Sequence, residues 1–216
     1  MKIFITGVCG FLGANLAEHF LDKKYNVSGC DNLIGGNLGN IKGLNINFFK
    51  GSCEDLEFMK NVIPQDTDCL IHCAAFAHEG LSVFSPHLIT NNVFSGSVSV
   101  FSASIIKKVK RIVFCSSMAR YGNLNKVFEE TDIPSPLDPY GIAKLAAEQV
   151  LSVLSDVHGI EYNVAIPHNI IGRKQNYTDP FRNVAAIMIN KILNKQQPII
   201  YGDGEQKRSF SDIRDC

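Results

Sequence analysis

The 216-residue chain lacks an excess of charge of either sign: 21 lysines and arginines stand against 21 aspartates and glutamates. Without an overall field it has no bulk affinity for nucleic acid or an anionic membrane, so any anionic ligand must be held locally. No apolar run reaches the roughly eighteen residues that a membrane span requires. The cysteines (Cys9, Cys30, Cys53, Cys69, Cys73, Cys115 and Cys216) include no CxxC pair that would suit zinc, and no His/Cys/Asp grouping has metal-site spacing. They lie mostly inside apolar runs and read as small buried hydrophobes in a reducing compartment. There is no GK[ST] sequence, which excludes a P-loop, and no internal repeat or low-complexity tract. Lys2 and the apolar run after it would suit a signal peptide, but three glycines break the run and a strand-and-acid pattern follows directly. The expected location is therefore the cytoplasm.

What the chain does have is 45% apolar and 19% charged residues, the make-up of a globular protein with a substantial core. Short β-branched or aromatic runs recur at 2–6, 25–31, 45–50, 68–74, 111–117 and 161–167, with helix-like stretches between them. Continuous apolar strands alternating with helices predict a parallel sheet covered on both faces. The helices are expected at about 11–22, 55–63, 86–108 and 138–157. The last is the best marked, with Asp138 as its cap, Pro139 in its first turn, and Ile142, Leu145, Ala146, Gln149 and Val150 at helical spacing. Beyond 167 the composition shifts to Asn, Lys and Gln with one more helix at about 181–194, which suggests a second region.

The stretch ITGVCGFLG places Gly7, Gly10 and Gly13 between the first strand and the first helix. There Gly7 permits a tight turn, Gly10 lets a pyrophosphate approach the backbone, and Gly13 allows close helix packing; the helix N-terminus then holds the phosphates. Asp31 closes the second strand, where a carboxylate accepts hydrogen bonds from adenosine ribose hydroxyls and repels a 2′-phosphate, favouring NAD over NADP. Tyr140 and Lys144 share a helix face in YGIAK. An ammonium beside a phenol favours the phenolate, and such a tyrosine can take a hydroxyl proton near neutral pH. Ser117, at the end of RIVFCSS, would emerge at the carboxyl edge of the sheet and hold the oxygen that becomes a carbonyl.

Together TGVCGFLG, the acid in DNLIGGN, HCAA, the asparagine in NNVFSG, SSMARYG, YGIAK and YGDGEQKRSF resemble an extended short-chain dehydrogenase/reductase of the nucleotide-sugar epimerase/dehydratase group. The resemblance covers nearly the whole chain and implies an α/β fold: a Rossmann-type doubly wound parallel sheet over 1–167 that holds NAD and the catalytic residues. Residues 168–216 would begin a smaller C-terminal substrate-binding region, incomplete because members of the group extend well past the position of Cys216. A nucleoside diphosphate sugar is the implied substrate, and the helices near 86–108 and 138–157 the implied homodimer surface.

By the same resemblance the NAD phosphates lie on the loop from Gly7 through Gly10, Phe11 and Leu12 to Gly13, and the ribose on Asp31 and Asn32. Adenine falls beside GSCED, where Ser52 stands in place of a usual aspartate and Cys53 follows. Cys73, Ala74, Ala75, Asn92, Ser116 and Pro167 line the dinucleotide. Ser117, Tyr140 and Lys144 form the implied catalytic triad; Asn169 and Arg208 are the implied sugar-nucleotide contacts, with Ser209 where many members carry Asp. Dehydratases of the group carry an acidic pair directly after the catalytic Ser or Thr, and a decarboxylase needs a carboxylate there, whereas this chain has Met118 and Ala119. Epimerisation through a 4-keto sugar is the expected reaction; a dehydratase, a reductase and an inactive NAD-binding relative are the alternatives. His78 and Glu79 follow the HCAA strand and could reach the sugar, His72 reads as a packed strand residue, and His168 is ambiguous.

Overall fold

The computed structural model of the protein describes residues 1–123, 126–179, 184–200 and 202–216. Six strands form one parallel sheet: β1 (Lys2–Thr6), β2 (Asn26–Asp31), β3 (Asn47–Lys50), β4 (Cys69–His72), β5 (Arg111–Cys115) and β6 (Glu161–Ala165). Their order, β3-β2-β1-β4-β5-β6, reverses direction between β1 and β4. That crevice, at the carboxyl ends of the strands, is where open α/β sheets receive a ligand.

Alternation along each strand divides the core in two. Phe4, Leu70, Ile112 and Phe114 face the layer formed by α2 (Leu56–Val62), α5 (Gly96–Ile106) and α6 (Pro139–His158). Ile3, Ile5, Val27, Ile71 and Cys115 face α1 (Phe11–Asp22), which contributes Ala14 and Ala17. The inner strands β1, β2, β4 and β5 are buried on both faces and so read in the sequence as largely apolar runs, whereas β3 and β6 at the edges are more exposed.

The stretch expected as one helix over 86–108 is a continuous helical run over Pro86–Ile106 with a π turn inside it. After α3 (Glu79–Ser82) comes α4 (Pro86–Thr90), then a π-helical turn at Asn91–Ser95, then α5. A π turn inserts a residue without a Gly or Pro to announce it, and such turns gather at functional sites. In α6 the buried stripe is Tyr140, Lys144, Ala147, Glu148, Leu151 and Ser155, while Ile142 is exposed. The face expected from Ile142 onward is therefore not the one that packs on the sheet; the polar residues of YGIAK are. Past the sheet, β7 (Ile170–Ile171) pairs in parallel with β8 (Ser211–Asp212), and α7 spans Val184–Leu193. Positions 181–183 of the helix expected at 181–194 lie outside the described residues. No helix among the described residues is long and apolar enough to cross a membrane.

Candidate active site

The crevice is a cleft of about 1300 Å³ whose wall includes the glycine loop, the ends of β4 and β5, and the start of α6. Gly7 has φ +67°, and a Cβ there would lie 2.8 Å from the Ala74 Cα. At Gly13 a Cβ would meet the Gly7 carbonyl oxygen at 2.2 Å. The third glycine thus lets the helix start close onto its own loop, and the N-terminal turn of α1 at Phe11, Leu12 and Gly13 stands at the cleft wall. Its orphan N–H groups form an anion site of the kind a pyrophosphate fills.

Asp31 ends β2 inside the cleft. Its Oδ2 accepts from the Cys9 N–H at 3.0 Å and its Oδ1 from the Leu33 N–H at 2.7 Å. Burial pushes its pKa up, while the N–H groups of Leu33, Cys9 and Gly10 oppose the shift. An ionised carboxylate offers about four acceptor sites, so these loop bonds leave capacity for ribose hydroxyls. Gly36 passes so close that a Cβ there would lie 2.7 Å from the carboxylate. Asn32 and Cys53 also line the cleft; Ser52 does not, and its Oγ accepts from the Glu54 N–H at 3.2 Å.

A chain of hydrogen bonds fixes the cleft floor. Ser97 Oγ donates to the Val93 carbonyl at 2.5 Å and so accepts from His72 Nε2–H at 2.9 Å. His72 Nδ1 then accepts from Thr6 Oγ1 at 2.6 Å, and Thr6 Oγ1 accepts from the Ala74 N–H at 3.2 Å. Burial holds the imidazole neutral, with its pKa lowered to about 3. His72 is the packed strand residue expected, and it also positions Ala74 against Gly7. Asn92, in the π turn, accepts from the Phe76 N–H at 2.7 Å and donates to Glu54 Oε1 at 3.0 Å. Cys73, Ala74, Ala75 and Asn92 all line the cleft. All seven cysteines are free thiols, and the Sγ atoms of Cys73 and Cys115 lie 3.5 Å apart.

Ser116 and Ser117 leave the end of β5, and Ser117 caps a 3₁₀ turn at Met118–Tyr121 by accepting from the Ala119 N–H at 3.2 Å. Helix α6 starts against that turn because Asp138 caps it through the Gly141 N–H at 2.9 Å, and because Gly141 has no side chain. A Cβ there would fall 2.6 Å from the Ala119 carbonyl oxygen. This approach brings Tyr140 and Lys144 to the same cleft wall as Ser117. Lys144 is 2% exposed; its Nζ lies 5.9 Å from the Tyr140 ring centroid and 4.8 Å from that of Phe114. Burial pulls its pKa down to about 8.

On the C-terminal side, Pro167 and Asn169 line the cleft. Asn169 adopts φ +41° and its Nδ2 donates to the Ser209 carbonyl at 3.0 Å, so β7 and β8 meet at this residue. Arg208 is exposed and off the cleft wall, yet its charge opposes the rise in the Glu79 pKa that burial and Asp138 produce, and lowers that of His168. Glu79 lines the cleft, whereas His78 is bonded to Asp179 at 2.8 Å. Gly172 through Thr178 also line it; nothing in their sequence marks them beforehand. No group of three or more His, Cys, Asp or Glu among the described residues could hold a metal ion.

The family model of the NAD dependent epimerase/dehydratase family matches residues 3–216. The chain is 32% identical over 221 residues to a putative UDP-glucose 4-epimerase of Methanocaldococcus jannaschii, covering 99% of this chain and 70% of that protein. The fold superposes with TM-score 0.93 on a UDP-glucose 4-epimerase of Thermotoga maritima solved with UDP-glucose, at 32% identity over 100% of this chain and 70% of the other. A Thermus thermophilus UDP-glucose 4-epimerase in complex with NAD gives 0.91 at 27% identity, over 100% and 71%.

Proposed function

The chain belongs to the NAD dependent epimerase/dehydratase family, with NAD as its cofactor, and on that premise we propose that it inverts a nucleoside diphosphate sugar through a transient 4-keto form. The observation that carries this reading is the position of Ser117, Tyr140 and Lys144 on one cleft wall with Met118 and Ala119 in the turn behind the serine. Tyr140 takes the proton of a sugar hydroxyl, and the Lys144 ammonium favours the phenolate that does so. Ser117 holds the same oxygen by a hydrogen bond. Bound NAD supplies reversible hydride chemistry at the sugar carbon. Tyr140 later returns the proton, so the reaction consumes no reagent.

Residues 1–167 serve the dinucleotide and the chemistry, while Asn169 and Arg208 open the region that grips the sugar nucleotide. UDP sugars are the first candidates, since both UDP-glucose 4-epimerase relatives with solved folds act on that class by name. Glu79 supports a second reading, a dehydratase, because its carboxyl on the cleft wall has a raised pKa and could act as an acid. Incubating the protein and NAD with UDP-, GDP-, CDP- and dTDP-hexoses separates the two. A product of unchanged mass with altered ring proton couplings is expected; loss of water would favour the dehydratase, and no change in any sugar would overturn the epimerase reading.

A further inference from the structure

We propose that Glu148 is a positioning residue for the catalytic lysine: its buried carboxylate sustains the Lys144 ammonium and at the same time tethers the strand end that carries Ser117. The proposal rests on the assignment of Tyr140 and Lys144 as the reacting pair. Glu148 lies one helical turn after Lys144 on the buried face of α6 and is 7% exposed. One carboxylate oxygen accepts from the hydroxyl of Ser116, the residue before Ser117. The other pairs with Arg120 Nη1 at 2.9 Å, and Arg120 is itself mostly buried, over the Tyr121 ring at 5.1 Å. A single side chain therefore links α6, the end of β5 and the 3₁₀ turn.

The charges explain why an acid is needed. Lys144 Nζ donates to a neutral acceptor, the Cys115 carbonyl, and His72 beside it is a neutral imidazole. Tyr140 is the group it serves. Burial lowers the Lys144 pKa, and Cys115, Cys73 and Glu148, in that order, raise it; Glu148 is the carboxylate among them. Burial would protonate Glu148 in turn, and the Ser116 hydrogen bond, Arg120 and Lys144 oppose that. A buried ion pair is poor evidence of a stability role, because desolvation offsets much of the attraction. Among the described residues the Arg120 Nε is also buried without a hydrogen-bond partner.

The test is the titration of Lys144 by ¹⁵N NMR of the lysine side chains in the full chain, its resonance assigned by its loss in Lys144→Met. Glu148→Gln should lower the Lys144 pKa so that the ionisation constant changes about tenfold, the size of one unit charge acting across a helical turn in partly screened surroundings. Glu148→Asp keeps the charge and should leave that titration near wild type, while its shorter reach releases Ser116. Unchanged titration in Glu148→Gln overturns the proposal, however far its melting temperature falls. Should that variant not fold, the ¹³C carboxyl resonance of Glu148 in the wild type decides: a step at the pH where Lys144 loses its proton supports the coupling, and its absence overturns it. These readouts need neither sugar nor NAD. Turnover by Tyr140→Phe tests the catalytic assignment separately.

Discussion

Lys144 Nζ donates a hydrogen bond of 2.6 Å to the carbonyl oxygen of Cys115, so the lysine is anchored to the strand that delivers Ser117. The bond fixes the ammonium beneath Tyr140 without neutralising it.

That burial has a pH signature. The folded pKa of Lys144 is about 8 against 10.5 when unperturbed. Between those values the unfolded chain holds the extra proton, so stability rises with pH across that window, and the full penalty is present below it. Lys144→Met is expected to melt a few degrees above wild type near pH 7, with the gap closing towards pH 10, because it removes a penalty of up to about 3 kcal/mol. Thermal melts across the range check this; a variant melting well below wild type at pH 7 contradicts it. Turnover should be lost in the variant, and in the wild type should decline as pH rises past about 8.

Gly13→Ala places a Cβ 2.2 Å from the Gly7 carbonyl oxygen and 2.9 Å from the Val8 Cα, both backbone atoms that cannot rotate away. The expected cost is about 2 kcal/mol of stability and at least a tenfold loss of NAD affinity. Gly159→Ala is the comparison. Gly159 has φ +67° at the end of α6 and a Cβ there would meet nothing within 4 Å among the described residues, so alanine there should cost about 1 kcal/mol of strain and leave NAD affinity alone. Calorimetric binding and denaturant melts on the two proteins would separate site geometry from general destabilisation.

Asp31→Asn removes the charge that ribose hydroxyls would meet and changes the acceptor shared by the Cys9 and Leu33 N–H groups. NAD affinity should fall by about 1.5 kcal/mol, while NADP, no longer facing a carboxylate, should bind relatively better. Titration with both dinucleotides gives the ratio directly. An unchanged ratio would move the ribose contact elsewhere.

His72 should be the Nε2–H tautomer and stay neutral through mildly acid pH, because Ser97 spends its proton on Val93 and Thr6 donates to Nδ1. With a folded pKa of about 3 against 6.5, the unfolded chain takes up the proton first as pH falls. Stability from this site is therefore complete above about 6.5 and drains away between there and 3. Imidazole ¹⁵N shifts read the tautomer, and acid melts of wild type against His72→Gln read the drain. A protonated ring at pH 5 would refute the network.

Much of this molecule is legible in its sequence. The inner strands β1, β2, β4 and β5 appear as largely apolar runs because burial on both faces disfavours polar residues, the edge strands β3 and β6 are more exposed, and Gly7, Gly13, Asp31, Ser117, Tyr140 and Lys144 stand where local chemistry requires them. The π turn at Asn91–Ser95 does not appear, since helical spacing continues through it and only Asn92, bridging Phe76 and Glu54, shows what it does. Glu148 and Arg120 look like ordinary surface charges on and before a helix. Whether a charge is solvated or buried depends on what packs over it, and the approach of Gly141 to Ala119 turns that face of α6 inward. Periodicity, turn chemistry and motif spacing act over a few residues, and by themselves they determined the strands, the glycine loop and the proposed trio of Ser117, Tyr140 and Lys144. Which face of α6 is buried, which tautomer His72 adopts and which carboxylate sustains Lys144 were decided only in the tertiary structure, because desolvation and pairing are properties of neighbours distant in the chain.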